Sequence, residues 1–497
     1  MGIWLSRSDL ARLRPAETLA VRSPVPTRVV SNGEYLPAPQ TRQQRRVEAE
    51  VRRLAERYAR RLRMDRRRFL STSAGMAAAF MAMNSVYGPL FGVAEAEAAE
   101  PGAAEERLIA LARQFVFDVQ LHFVRDDYSF EPLLGLRDYA KRLNPDLRGE
   151  KVDFDAFKFD NFVKEVYLDS DTHVGLLSGA PSDKPEHWFL TNDQMARARA
   201  VVNAIAQSRR LLCHAVFTPG QPGWLDELDR VIETLKPDSW KGYTVGDPLG
   251  PSRWPWRLDD EALVYPAYAR MVKAGIRNVC IHKGLLPEDY RTSFSSTWRY
   301  AQVGDVGPAA RDWPELNFVI YHSAIKPLLQ LPEEHLMQFE RTGRIDWVTD
   351  LAEIPSKFGV DNVYAELGTC FGSAAVTHPR HAAALLGTLV KGMGDDHILW
   401  GTDSVWYGSP QWQIEALRRI EIPEDMQRTH GFAPLGPADG PVKSAILGRN
   451  AAGLYDMDAA AHTRAAAADR LAQAKAEYQA EGGARSNLAY GYVARDP

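Results

Sequence analysis

From about residue 105 onward, short apolar runs alternate with stretches whose apolar positions recur at helical spacing. The runs 115–119, 162–168, 211–217, 242–245, 279–281, 318–321, 363–365 and 398–400 read as buried strands. Between several of them, 193–207, 224–235, 261–274 and 380–391 carry the 3.6-residue period of amphipathic helices. Strands alternating with helices in this way predict an α/β chain, a parallel (β/α)8 TIM-like barrel over 105–456. The competing arrangement is a doubly wound open sheet. That fold brings a glycine-rich phosphate loop after its first strand, and Asp118-Val119-Gln120-Leu121-His122 contains no glycine.

The pattern differs at both ends. Residues 1–64 are rich in Arg, Pro and Gln and sparse in apolar side chains, so they read as a poorly packed, disordered leader, with 44–62 able to form an Arg/Glu-rich helix. Next comes Asp65-Arg66-Arg67-Arg68-Phe69-Leu70, followed by an Ala/Met/Ser-rich run over 71–93 and the small-residue segment 94–99. Paired arginines, Phe-Leu, a mildly apolar run and Ala-x-Ala steps, in that order, resemble a twin-arginine export signal over 65–100. The resemblance implies passage of a folded chain through the twin-arginine translocation machinery and a periplasmic or extracellular location. The mature protein would then begin near 97–101. Such signals usually lie at the start of a chain, so either Met64 is the true start or the basic region is long. A basic loop followed by an Ala-rich helix is the structural alternative. The Ala-rich stretch 459–480, within a tail over 457–497, reads as a solvated helix that could also meet a second copy of the chain.

Composition adds little bias. With 45% apolar residues, 25% charged residues and a formal charge of -4 over 497 residues, the chain has no global attraction for nucleic acid. The charge is uneven: no lysine precedes Lys141, and arginine supplies all the positive charge before it. Cys213, Cys280 and Cys370 are too few and too dispersed for a disulfide framework, and each sits in or beside an apolar run. They read as buried thiols.

In a barrel, chemistry gathers where strands end and the following loops begin. Four predicted strands end in polar groups: Gln120 and His122 on the first, His282 on the fifth, His322 on the sixth and Asp403 on the eighth. Gln120 and His122 are two apart, so both side chains point the same way. A carboxylate directly after the apolar run Ile398-Leu399-Trp400 is costly to bury without a cationic partner. One divalent metal where these strand ends converge would account for all of them. His173 and His214 read as structural or rim residues. Lys283, directly after His282, stands open between a substrate-facing role and a structural ion pair, whereas Glu366 leans structural. The loop 247–258 interleaves Arg253, Trp254, Trp256 and Arg257. It could be a lid that grips an aromatic or carboxylated substrate, or a packing corner. Trp406 could floor the pocket or pack on the last helix.

Several of these segments together resemble the amidohydrolase superfamily, in the amidohydrolase-related branch that includes aminocarboxymuconate semialdehyde decarboxylase. They are Phe117-Asp118-Val119-Gln120-Leu121-His122-Phe123, His282, Asn317-Phe318-Val319-Ile320-Tyr321-His322, Asn362-Val363-Tyr364-Ala365-Glu366, the run to Asp403, and Ile446-Leu447-Gly448-Arg449-Asn450. The resemblance implies a metal-dependent-hydrolase barrel with a mononuclear centre. Its reaction would be hydrolysis of an amide, ester or lactone-like carbonyl in a small organic substrate, or non-oxidative decarboxylation. The metal ligands would be His122, His282 and Asp403 with Gln120 at the remaining position, and Asp403 and His322 the catalytic groups; the residues themselves put Arg253, Trp254 and Trp406 forward for the substrate. A divalent ion lowers the pKa of bound water toward ~7; Asp403 would take that proton and His322 would orient water or stabilise negative charge.

One position departs from the family pattern. The first strand of such proteins carries His-x-His or Glu-x-His, and here it carries Gln120-x-His122. Either Gln120 ligates through its amide oxygen, a neutral and weaker donor that moves the expected ion from zinc toward manganese, or the metal rests on His122, His282 and Asp403 with extra water. The remaining possibility is an exported barrel that binds a solute and has lost the metal.

Overall fold

The chain is described here from a computed structural model, which covers residues 23–27, 30–31, 40–100, 102–128, 154–286, 289–326, 332–481, 483 and 492–493. Eight parallel strands lie side by side in chain order. They are β1 (Phe117–Leu121), β2 (Val174–Leu177), β3 (Leu211–Val216), β4 (Ser239–Tyr243), β5 (Asn278–His282), β6 (Asn317–Tyr321), β7 (Val363–Glu366) and β8 (Ile398–Leu399). The ring closes between β1 and the end of β8. Val119 N–H donates to Trp400 O at 2.9 Å, Asp403 N–H to Gln120 O at 2.9 Å, and His122 N–H to Ser404 O at 2.6 Å. The predicted (β/α)8 barrel is therefore the observed fold.

Two apolar layers hold it. Phe117, Val119, Leu176, Leu212, Cys280, Val319, Tyr321 and Leu399 form one buried cluster with Tyr455 and Met457. A cluster drawn from so many strands fills the lumen, as side-chain layers do in such barrels. The larger cluster lies between strands and outer helices, where side chains of opposite parity on each strand point. All three cysteines are buried and unpaired.

Three strand predictions need correction: the first strand runs Phe117–Leu121 and not 115–119, so Gln120 lies within it. Residues 162–168 are helical, divided between Phe159–Val163 and a wider π-turn over Lys164–Leu168, and the true second strand is Val174–Leu177. A short run buried on every side has no period that separates strand from helix. The fourth strand starts earlier than predicted, at Ser239, because Trp240 and Lys241 are both buried in it.

Within 1–64, the described residues from 40 onward include a packed helix, as the 44–62 reading allowed and the disordered-leader reading did not. Arg42–Arg61 forms α1, with Thr41 and Gln44 in a reciprocal capping box, and its Val47, Val51, Leu54 and Tyr58 are buried. Ser73–Tyr87 forms α2, capped by Thr72. Most of residues 1–39 lie outside the described ones. Three further helices matter for the site: α3 (Cys370–Thr377), α4 (Pro379–Met393) and α5 (Gln411–Arg419). The Ala-rich tail is two helices, Ala459–Ala468 and Arg470–Ala480, rather than one solvated helix. Asp469 caps the second and pairs with Arg210 at 3.0 Å, while Lys475 donates to Ser170 O, so the tail is tied to its own barrel.

A buried ionic network joins α5 to its surroundings. Arg418 donates to Asp171 and Glu415, and Arg419 to Glu415 and Glu97. Burial opposes the charge on Glu415, but Arg419, Arg418 and Arg107 hold its carboxyl down at about 2. A carboxylate depressed in the folded state contributes stability that is present above its unfolded pKa and lost as pH falls through the folded value. Stability is therefore expected to drop between pH 4.5 and about 2, with Glu415 contributing on the order of 3 kcal/mol of the loss. Urea midpoints across that range, in native protein and in Glu415→Gln, check this: the variant should show a shallower slope.

Candidate metal centre

The seam between β1 and β8 is where the polar strand ends meet. Gln120 and His122 leave β1, His282 ends β5, His322 follows β6 and Asp403 follows β8; all five are at most 2% exposed. His322, Thr369 and Asp403 also share left-handed backbone, with φ of 58°, 59° and 62°. Non-glycine residues adopt that region at a cost and gather where surrounding structure fixes them, often at functional sites. Here Glu366 supplies part of the fixation. Its carboxyl accepts from the backbone N–H of His322 at 2.9 Å and of Gly368 at 2.6 Å, and the Ser323 hydroxyl donates to its carbonyl. Burial pushes the Glu366 carboxyl up to about 8.

The hydrogen bonds of His122 carry a chemical demand. Its Nδ1 lies 2.8 Å from Ser178 O, which can only accept, so Nδ1 holds the hydrogen. Its Nε2 lies 2.9 Å from Asp403 Oδ1. A neutral ring would press a lone pair against a carboxylate oxygen there. Something positive belongs between the two atoms, either a second proton or a metal cation. The other Asp403 oxygen accepts from Thr369 Oγ1. Burial alone would raise the Asp403 carboxyl, but the bond from His122, the nearby His322 and the Thr369 hydroxyl hold it well below the usual carboxylate range.

Gln120 completes the cluster. Its amide nitrogen is 3.4 Å from His122 Nε2 and 3.3 Å from His322 Nε2, and its Oε1 has no hydrogen-bond partner among the described residues. His322 Nδ1 faces Gly368 O at 2.8 Å, which leaves its Nε2 as a lone pair toward the cluster. The two atoms of an amide exchange places by a half-turn, so this position can present either a donor or an oxygen ligand. The His282 ring sits 4.7 Å from that of His322 and stacks on Tyr243 at 4.6 Å, and its Nδ1 is unpartnered among the described residues. Burial depresses both imidazoles, His322 to about 4, so both are neutral at pH 7 and able to ligate. Among the described residues, no group of three or more His, Cys, Asp or Glu side chains is arranged to hold a metal by itself. The amide of Gln120 lies beside His122 and could add a donor to it and Asp403. Donor chemistry and the orphaned amide oxygen fit a cation.

Other predicted residues fall on both sides. Trp406 stacks on His122 at 5.8 Å and touches Phe157 and Phe189, forming an aromatic wall over the cluster. Arg253 is exposed, and its backbone N–H donates to Asp183; Trp254 packs on Gly220. Within the described contacts the 247–258 loop is a packing corner, with Asp247 accepting from Ser182 and Trp256 lying against Gly242. Lys283 is structural. Its Nζ lies 2.7 and 2.9 Å from the oxygens of the buried Asp305. His214 is a core residue between Ser239 and Tyr321, and His173 accepts from Val116 N–H.

Two participants escaped the sequence reading. Asp118, buried at the seam, accepts from the backbone N–H groups of Gln120 and Thr402 and from the Thr402 hydroxyl, stapling β1 to β8. Its place two residues before Gln120 was the available signal. Thr369, which orients Asp403, gave none beyond following Gly368. Thr369→Val is expected to lower metal affinity or turnover about 10–100-fold with the fold intact, as loss of a ligand-orienting partner does. Titration with Mn(II) or Zn(II) checks the affinity.

A parallel barrel with polar groups converging at the C-terminal ends of its strands is an enzyme scaffold. The chain belongs to the amidohydrolase family, whose profile matches residues 188–457, more than half of the sequence. His282, His322 and Asp403 lie inside the matched stretch; Gln120 and His122 precede it. Among curated proteins, none matches the chain. Solved structures of similar fold include an uncharacterized TIM-barrel protein from Bordetella bronchiseptica, at 14% identity over 70% of this chain and 99% of that one, TM-score 0.42. Another is 2,6-dihydroxybenzoate decarboxylase from Rhizobium, at 16% identity over 69% and 99%, TM-score 0.39. A third is 5-carboxyvanillate decarboxylase from Novosphingobium aromaticivorans complexed with manganese, at 12% identity over 70% and 97%, TM-score 0.39. Their metals and substrates are properties of those proteins.

Proposed function

We propose that this amidohydrolase-family enzyme works with one divalent cation, zinc or manganese, held by His122 and Asp403 together with Gln120 and His282. The observation that carries the reading is His122, whose two ring nitrogens both face acceptors. When bound, such an ion supplies Lewis acidity toward a carbonyl or carboxylate oxygen and toward water. The protein's own groups do the rest. Thr369 fixes one Asp403 oxygen, and the other faces His122 Nε2, where it can hold a proton. His322, neutral and pinned at Nδ1 by Gly368 O, presents Nε2 toward the cluster to hold or pass a proton. Trp406, Phe157 and Phe189 keep water from one side of the site.

The leading reaction is hydrolysis of an amide, ester or lactone carbonyl in a small organic substrate. Non-oxidative decarboxylation is the second reading, favoured by the aromatic wall, which suits an aromatic carboxylic acid. Metal analysis of protein purified without chelator is the first test, with about one divalent ion per chain expected for a mononuclear site. A metal-free protein that stays metal-free on titration would return the barrel to a binding role. A substrate panel read both for hydrolysis and for carbon dioxide release separates the two chemistries.

A further inference from the structure

We propose that residues 41–100, whose pattern resembles a leader and export signal, are a permanent layer of the finished protein and are not removed. The apolar run is not displayed: Met76, Ala77, Ala78, Ala79, Phe80, Ala82 and Met83 in α2 are at most 2% exposed. α1 covers it from one side through Val51, Leu54 and Tyr58, and small residues allow close approach of the chain. A Cβ on Gly75 would stand 2.3 Å from Phe69 O.

The stretch after α2 is tied to the barrel's outer helices. Asn84 closes the turn, its amide donating to Phe91 O and its oxygen accepting from the N–H groups of Leu90 and Phe91. Gly92 N–H donates to Arg419 O at 2.7 Å and Glu421 N–H to Leu90 O at 2.9 Å. Glu97 receives Arg419 at 2.6 Å, and the Tyr87 hydroxyl donates to Thr377 O. The Ala-x-Ala steps that would be cut lie in the helix Glu95–Ala99, where Ala98 and Ala99 are buried.

Two physical reasons follow for retention. A route that carries folded proteins needs its recognition segment free of the folded body. Here Arg66, Arg67 and Arg68 are exposed, but the Phe69 and Leu70 that follow them are buried. Removing the layer would also strip Arg419 of Glu97 and of the Phe80 ring, and Ile420 of its bridge to Phe91. Tyr87 and Glu97 thereby hold the C-terminal ends of α3 and α5, the helices that follow Thr369 and Asp403.

Intact-mass analysis of the protein made in its own host, in both cell and secreted fractions, is the direct test. The expected mass includes residues 41–100 in every folded fraction. A folded, active species beginning between residues 94 and 101 would overturn the proposal. Hydrogen exchange on the full-length chain gives a readout independent of processing. Amides of 76–83 should exchange within about tenfold of those of β5 and β6. Exchange at the rate of a free chain would count decisively against a packed layer.

Discussion

Asp403→Asn is expected to abolish metal binding and to lower turnover of any substrate found by at least about 10³-fold, since several kcal/mol of charge stabilisation is lost. Asparagine keeps the shape and tolerates the left-handed backbone that residue 403 adopts at φ 62°, so the loop should hold. What disappears is the negative charge facing His122 Nε2 at 2.9 Å. Metal content by mass spectrometry and the circular dichroism spectrum together check this. Full metal occupancy and full activity in the Asp403→Asn protein would remove Asp403 from the centre. Unchanged metal with lost activity would confine it to proton transfer.

Lys283→Met carries the largest expected effect on stability. Lys283 and Asp305 are at most 2% exposed, and Asp305 would be left as a lone buried carboxylate that still accepts from Leu258 N–H. Breaking a buried pair on one side costs about 3–5 kcal/mol. Burial by itself disfavours the charged lysine, and Asp305 opposes that, so the pair stands or falls together. Urea unfolding should show the loss. Adding Asp305→Asn, which keeps an acceptor for Leu258, should restore much of it. Metal content should not change in either protein, because the Lys283 amine bonds Asp305 and Tyr300 O and not the His122–Asp403 cluster.

The strands that end in functional groups were legible because an apolar run of three to five residues followed by His or Asp leaves few readings. β5, β6, β7 and β8 lie within a residue or so of their predicted places. The misread segment, 162–168, is buried almost throughout, Lys164 and Glu165 included, and its helical form comes from what surrounds it. Glu366 leaned structural on sequence and does brace the His322 turn, but its place beside the cluster could not be read. A Cβ on Gly401 would stand 1.7 Å from its Oε1, a contact that exists only once β7 and β8 are side by side.

The order of residue types along the chain determined the barrel, the strand ends that carry chemistry, and the identity of Gln120, His122, His282, His322 and Asp403 as the polar groups there. Tertiary structure alone decided which of them touch. Gln120 and His322 are 202 residues apart, and closure of the ring places the amide between two imidazoles. It also decided that Lys283 belongs to Asp305, that Thr369 orients Asp403, and that an apolar stretch patterned like an export signal is an inner helix. Periodicity reports only which way a side chain points along its own element. What it meets depends on burial and on contacts between distant segments, which no local pattern encodes.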